Sequence, residues 1–246
     1  MAYDYLPAFY DALTEDVDYA KTVRYLERRF EDARIPVRAV LDLACGTGTV
    51  AHALAEKGYD VVAVDGSDMM LAEAAAKGGG ENPPLFLQQP MDALDLYGTV
   101  DAAVCTLDGL NHLTEEAALR ETLRRVHMFL NPGGVFVFDI YGPMYLRSLD
   151  GTTFSDERED VFCVWRIAES EKKDVYAYTT DLFIREAGRW ARRSETHFER
   201  AYEAEAMEYF LSQAGFEAIG RFDGRSDTPA APETRRIYFS ARKPER

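Results

Sequence analysis

The sequence predicts an α/β fold, a doubly wound sheet of seven strands with an antiparallel β insertion after the fifth strand. Three observations carry this expectation. Apolar runs of strand length alternate with helical stretches as far as residue 141, which is the pattern of a parallel sheet covered on both faces. From about 160 to 202, apolar and polar residues alternate without intervening helices, as in antiparallel strands. A helical stretch at 204–215 and strand-like runs at 216–222 and 235–243 then complete the main sheet.

In DYAKTVRYLERRFEDA, residues 18–33, Tyr19, Val23, Leu26 and Phe30 recur at helical spacing, and Ile35-Pro36 stops the helix. An aromatic segment with Tyr3, Tyr5, Phe9 and Tyr10 precedes it, and residues 1–36 are expected to form a helical lid. VRAVLDLA (37–44) reads as a buried strand, and TVAHALAEKG as a helix closed by Gly58. The unit repeats with YDVVAVD (59–65), then a helix DMMLAEAAAK capped by Ser67. GGGENPP breaks that helix before a third strand, LFLQQ. TVDAAVCTL gives a fourth strand, Thr114 is expected to cap EEAALRETLRRVHMFL, and an NPGG turn leads to a fifth strand, VFVFDIY. DVFCVWRIAE, DVYAYTTDLFIRE and RWARRSETHFERAY, joined by ESEKKD and EAGR, form the insertion. The expected division is therefore a main domain of 37–141 and 203–246, with the insertion at 142–202.

The 246 residues suffice to bury a sizeable core. A formal charge of −15 repels phosphate backbones and anionic membrane surfaces, which disfavours a nucleic-acid or membrane partner. No stretch reaches the roughly 18 apolar residues of a membrane span, and Met1 to Tyr10 lack a basic start followed by an apolar run. A cytoplasmic protein is expected. Cys45, Cys105 and Cys163 follow no CxxC spacing and read as reduced thiols. No metal site is expected, since the four histidines form no ligand cluster in sequence.

The stretch LDLACGTGTVAHAL, 41–54, implies a ligand. A glycine-rich turn between strand and helix lets the main chain approach closely, and the helix N-terminus adds free N–H groups. Gly46 and Gly48 fit that use. The second strand ends at Asp65, about 20 residues on, where a carboxylate can accept both hydroxyls of a ribose. GTGTVA also matches the GxGxxA form of the dinucleotide fingerprint, so this spacing admits two cofactors. Asp42 bears on the choice: a buried carboxylate in the strand needs a partner, and the amino group of a methionine moiety would supply one.

Here LDLACGTG resembles the first motif of the class I S-adenosylmethionine-dependent methyltransferases, and the resemblance covers residues 37–142. It implies a Rossmann-like sheet of seven strands with the last antiparallel, and S-adenosylmethionine as cofactor. Ala44, Gly46, Thr47 and Gly48 would form the cofactor turn, and Asp65 and Gly66 would follow at the end of the second strand. Met70 stands where the family packs an apolar side chain on the adenine; read from the residues alone it is equally a core methionine. The family often has Gln-Asp-Met after the third strand, whereas this chain has Gln89-Pro90-Met91-Asp92. The adenine contact then passes to Asp92 and the Met91 backbone N–H. Cys105 to Leu107 would flank the methionine portion.

FYDALTEDVDY and LDGLNHL are similar to stretches of the small-molecule N-methyltransferases, including glycine N-methyltransferase and the amino-sugar N,N-dimethyltransferases. That resemblance puts Tyr10 over the cofactor sulfur and His112 beside the acceptor amine, as proton acceptor. The residues by themselves leave a hydrophobic lid and a loop-ordering histidine open. In the insertion, Glu195, His197 and Glu199 share one face of a strand, either lining an acceptor pocket or facing solvent. Asp139, Tyr141, His197 and Arg200 are the expected substrate residues. The expected protein is a monomer or homodimer acting on a small-molecule acceptor. The alternatives are a protein or RNA acceptor, for which LDGL replaces an Asn-Pro-Pro-Tyr-like motif, and cofactor binding without catalysis.

Overall fold

Ala39–Leu43 (β1) lies in the middle of a parallel array, which is why the run AVLDL is buried over its last four residues. The structure is a computed structural model that describes residues 4–186 and 188–246, so Tyr3 of the aromatic segment lies outside the described residues. Asp60–Asp65 (β2) and Leu85–Gln88 (β3) extend the sheet on one side of β1, and Val100–Cys105 (β4) and Leu130–Tyr141 (β5) on the other. Glu217–Asp223 (β10) and Arg236–Arg242 (β11) complete the order β10-β11-β5-β4-β1-β2-β3. β11 runs antiparallel to both β5 and β10, and the other neighbours are parallel. This is the expected doubly wound sheet of seven strands.

Helices cover both faces. Tyr19–Phe30 (α2) and Thr49–Glu56 (α3) bury Val23, Leu26, Phe30, Val50 and Leu54 against one face. Glu116–Phe129 (α5) and Ala204–Gln213 (α7) bury Leu119, Leu123, Val126, Met207 and Phe210 against the other. Each such side chain contributes about 1.5–3 kcal/mol by leaving water. Asp18 caps α2 by accepting from the Lys21 N–H at 2.7 Å. Ser67 caps Asp68–Ala76 (α4) through Met70 N–H, as expected.

Two local expectations are corrected. Thr114 does not cap α5: the helix starts at Glu116, so Glu115 is the N-cap and no side chain bonds there, while the Thr114 carbonyl accepts from Arg200 in the insertion. NPGG is not a separate turn. It belongs to β5, which starts at Leu130 with a register irregularity against β4 and a left-handed Gly133.

After β5 come a short helix, Pro143–Ser148 (α6), and four antiparallel strands: Thr153–Glu157 (β6), Val161–Glu169 (β7), Val175–Glu186 (β8) and Arg189–Arg200 (β9). α6 and β6 were not anticipated; TFSDE is short and polar, and only pairing with β7 makes it a strand. The N-terminal helix Pro7–Leu13 (α1) rests on this sheet, with Leu6 and Leu13 against Val161, Cys163 and Leu182. Glu195 Oε2 on β9 accepts from the backbone N–H groups of Asp4, Tyr5 and Leu6 at 2.9–3.4 Å. Among the described residues no helix is long and apolar enough to cross a membrane.

Candidate active site

A parallel sheet presents its binding crevice at the carboxyl ends of its strands. There the structure has a cavity of about 280 Å³. Its wall takes Ala44 to Thr47 from the turn after β1, Asp65 and Gly66 from the end of β2, and Pro90 to Asp92 from the turn after β3. Thr106, Leu107, Gly109 and His112 come from the turn after β4, Met70 from α4, and Tyr10 and Tyr19 from the N-terminal segment.

The turn after β1 holds Ala44, Gly46 and Gly48 at φ +56°, +54° and +72°. The two glycines differ in what they permit. A Cβ at Gly46 would meet nothing within 4 Å, so its backbone is open to the cavity it lines. A Cβ at Gly48 would come within 2.9 Å of Ala74 Cβ and 3.0 Å of the Phe86 ring, so this glycine lets α3 pack closely on α4 and β3. Gly48 is absent from the cavity wall and serves the packing of the helix. The Asp65 carboxylate accepts from Gly46 N–H through Oδ2 and from Ser67 N–H through Oδ1, each at 2.8 Å. It both pins the turn and borders the cavity.

Asp42 lies beneath this turn, 1% exposed, with Oδ2 lacking a hydrogen-bond partner. Burial, with the Asp65 charge added, pushes its carboxyl up to about 8. It does not reach the cavity wall. Burial likewise holds the Cys45 thiol and the Tyr10 hydroxyl well above their ordinary values.

The turn after β4 is strained: Leu107 and Asp108 both adopt left-handed backbone, at φ +58° and +56°. Asp139 on β5 supports it, accepting from the N–H groups of Leu107 at 2.9 Å and Asp108 at 3.1 Å. Arg236 on β11 closes this cluster by pairing with both Asp139 and Asp108. Asp139 is thus fully buried in bracing the turn and does not reach the wall, contrary to its expected substrate contact. The Tyr141 ring lies 4.3 Å from the Arg236 guanidinium and is also off the wall.

His112 joins the cavity to the insertion. Burial pulls its pKa below the ordinary imidazole value, partly opposed by Asp108 and by a hydrogen bond with the Phe198 backbone. His197 packs on it at 5.4 Å between ring centroids and is itself stacked on Tyr178 at 5.2 Å. Burial and His112 bring the His197 pKa down to about 3. Asp108, His112 and Glu199 bring ligand atoms within 4.8 Å of one another. Glu199 is only 3% exposed, so the solvent-facing alternative for Glu195 and Glu199 does not hold. Arg200 is engaged elsewhere: its guanidinium donates to the Thr114 carbonyl at 3.0 Å and lies over the Tyr202 ring.

Of the expected cofactor residues, Tyr10, Ala44, Gly46, Thr47, Asp65 and Gly66 line one cavity, together with Met70, Met91, Asp92 and Leu107. Asp108, Arg236 and Tyr178 were missed, and Glu199 was named only with solvent as its alternative. Spacing gave Glu199 a face but no side of the sheet, and Arg236 meets Asp139 across 97 residues of chain.

The family described as a methyltransferase domain matches residues 40–134. A Bacillus subtilis (strain 168) protein with the name "Putative methyltransferase YqeM" is 30% identical over 99% of this chain and 98% of its own length. Among solved structures, an S-adenosylmethionine-dependent methyltransferase from Clostridium acetobutylicum ATCC 824 superposes with a TM-score of 0.85 at 27% identity, covering 96% of each chain. The sugar N-methyltransferase KedS8 from Streptoalloteichus sp ATCC 53650 gives 0.81 at 25% identity, covering all of this chain and 94% of that one.

Proposed function

The chain belongs to the class I S-adenosylmethionine-dependent methyltransferases, and from that premise we propose that it methylates an amine nitrogen of a small molecule. The cavity suits the cofactor: Gly46 leaves open backbone, Asp65 offers a carboxylate for ribose hydroxyls, and Met70 and Met91 provide apolar walls for a flat base. Bound S-adenosylmethionine supplies a methyl group already activated on a sulfonium. What remains for the protein is alignment, exclusion of water and removal of the proton from the acceptor.

Tyr10 and Tyr19 line one side of the cavity, where the Tyr10 ring would offer an aromatic face to a cationic sulfur. His112 is the proton acceptor. Its lowered pKa keeps the ring neutral at physiological pH, as a base for a bound ammonium must be. The observation that carries the reading is that one histidine lies on the cofactor wall and also beside the carboxylates of Asp108 and Glu199. The sugar N-methyltransferase among the structural relatives supports nitrogen as the target.

The test is incubation with S-adenosylmethionine carrying a labelled methyl group and a panel of small amines, with products located by mass spectrometry. Label on nitrogen bears the proposal out. Label on oxygen or carbon, or S-adenosylhomocysteine binding with no transfer to any amine, refutes it.

A further inference from the structure

We propose that the acceptor end of this site takes an ammonium group on a carrier without a carboxylate, an aliphatic or sugar amine rather than an amino acid. This rests on the reading of the site as an amine methyltransferase and names its substrate class. The first observation is Glu199: the residue is 3% exposed, its Oε1 lies 3.7 Å from His197 Nε2, its Oε2 has no close hydrogen-bond partner beyond the neighbouring Tyr178 hydroxyl, and burial pushes its carboxyl well above the ordinary value, a shift that a bound cation would offset. A buried carboxylate short of donors is costly, and a cation held against it offsets that cost. Asp108 and His112, within 4.8 Å, complete a polar cluster, of which His112 lines the cofactor cavity.

The second observation is the state of the cations nearby. Arg236 spends one terminal nitrogen on Asp139 and the other on Asp108, the latter at 2.7 Å. Arg200 is committed to the Thr114 carbonyl, and the Arg235 guanidinium lies over the Tyr145 ring at 4.5 Å. The cavity wall contains no lysine or arginine among the described residues. Asp108, Asp139 and Glu199 therefore face one guanidinium, and a substrate carboxylate would enter beside Asp108 and Glu199 without a cation to receive it. Like-charge juxtaposition of this kind is how a site rejects a ligand.

The matched pair ethanolamine and glycine isolates the carboxylate, and binding is measured by calorimetry on the complex with S-adenosylhomocysteine, independently of turnover. Ethanolamine should bind at least about tenfold more tightly than glycine, a gap of roughly 1.4 kcal/mol. Propionate should not bind. Glu199→Gln should remove the preference and leave S-adenosylhomocysteine affinity unchanged. Glycine binding as well as ethanolamine, no saturable amine binding, or equal behaviour of the Gln variant would each overturn the proposal. So would stoichiometric Mn²⁺ or Zn²⁺ binding that Glu199→Gln abolishes, since the cluster would then serve a metal. A bound amine whose methyl product forms on oxygen would refute nitrogen transfer and leave this inference standing.

Discussion

Thr47 Oγ1 donates a hydrogen bond of 2.6 Å to Asp11 Oδ1, tying the glycine turn after β1 to the N-terminal helix that carries Tyr10. Lys77 strengthens the tie, pairing with Asp11 at 2.6 Å and donating to Thr47 and Thr49. The same segment is held from the other side by Glu195. These contacts link the cofactor turn, the N-terminal segment and the insertion.

The first prediction concerns that tie. Asp11 is about half exposed, so Asp11→Ala should weaken S-adenosylhomocysteine binding by no more than about 1 kcal/mol. Chymotrypsin should nonetheless cut at Tyr5, Phe9 or Tyr10 sooner in the variant. Glu195→Ala should speed cleavage more, because it releases three backbone N–H groups at once. Unchanged cleavage in both variants would show that packing on the insertion alone holds the segment.

The two glycines of the turn should separate binding from folding. Gly46→Val adds bulk where nothing of the protein lies within 4 Å, so it should abolish S-adenosylhomocysteine binding with a small loss of stability. Gly48→Ala forces a Cβ against Ala74 and Phe86 at left-handed φ, and should lower stability by about 1–3 kcal/mol. Asp65→Asn should cost the cofactor about 1.5–3 kcal/mol, the range for hydrogen bonds to a charged group. Calorimetry and thermal melts distinguish the three outcomes.

The sheet was legible because strand-length apolar runs between amphipathic helices have few other solutions, and the cofactor turn because Gly46 and Asp65, which line the cavity, and Gly48, which lets α3 pack closely, keep a fixed spacing. The acceptor side was less legible. Alternation along RWARRSETHFER groups Glu195, His197 and Glu199, and only packing against α1 and the turn after β4 turns that group inward. The left-handed Leu107 and Asp108 carry no local signal, since neither is glycine and their support comes from Asp139 on another strand. Thr114 offers a capping side chain one residue too early, since α5 starts at Glu116 with Glu115 as its N-cap.

His112→Asn should lower the rate near pH 7 by about 10²–10⁴-fold with cofactor affinity unchanged, the usual loss of a general base. The defect should shrink toward pH 10, where an amine of lysine-like pKa loses its proton unaided. In the parent protein the lowered imidazole pKa places the acid limb of the rate profile below about pH 6.5. A defect independent of pH, accompanied by a lower Tm, would make His112 a brace for its turn.

Asp42 makes stability depend on pH in a definite direction. Its folded pKa of about 8 lies above the ordinary carboxylate value, so the unfolded chain ionises first. The stability that this group confers is complete below about pH 4 and is lost progressively as pH rises to about 8. Asp42→Asn should therefore gain on the parent between those limits, by at most about 6 kcal/mol at about 1.4 kcal/mol per pH unit. Parallel Tm profiles for the two proteins would contradict the burial of an ionisable group beneath the turn.

The most direct measurement is a crystal structure with S-adenosylhomocysteine bound. In the expected complex the ribose hydroxyls lie within hydrogen-bond distance of the Asp65 carboxylate, the adenine between Met70 and Met91, and the sulfur faces Tyr10 and His112 with Glu199 beyond them. A ligand whose ribose avoids Asp65, or whose sulfur points away from His112, would contradict these roles for Asp65 and His112.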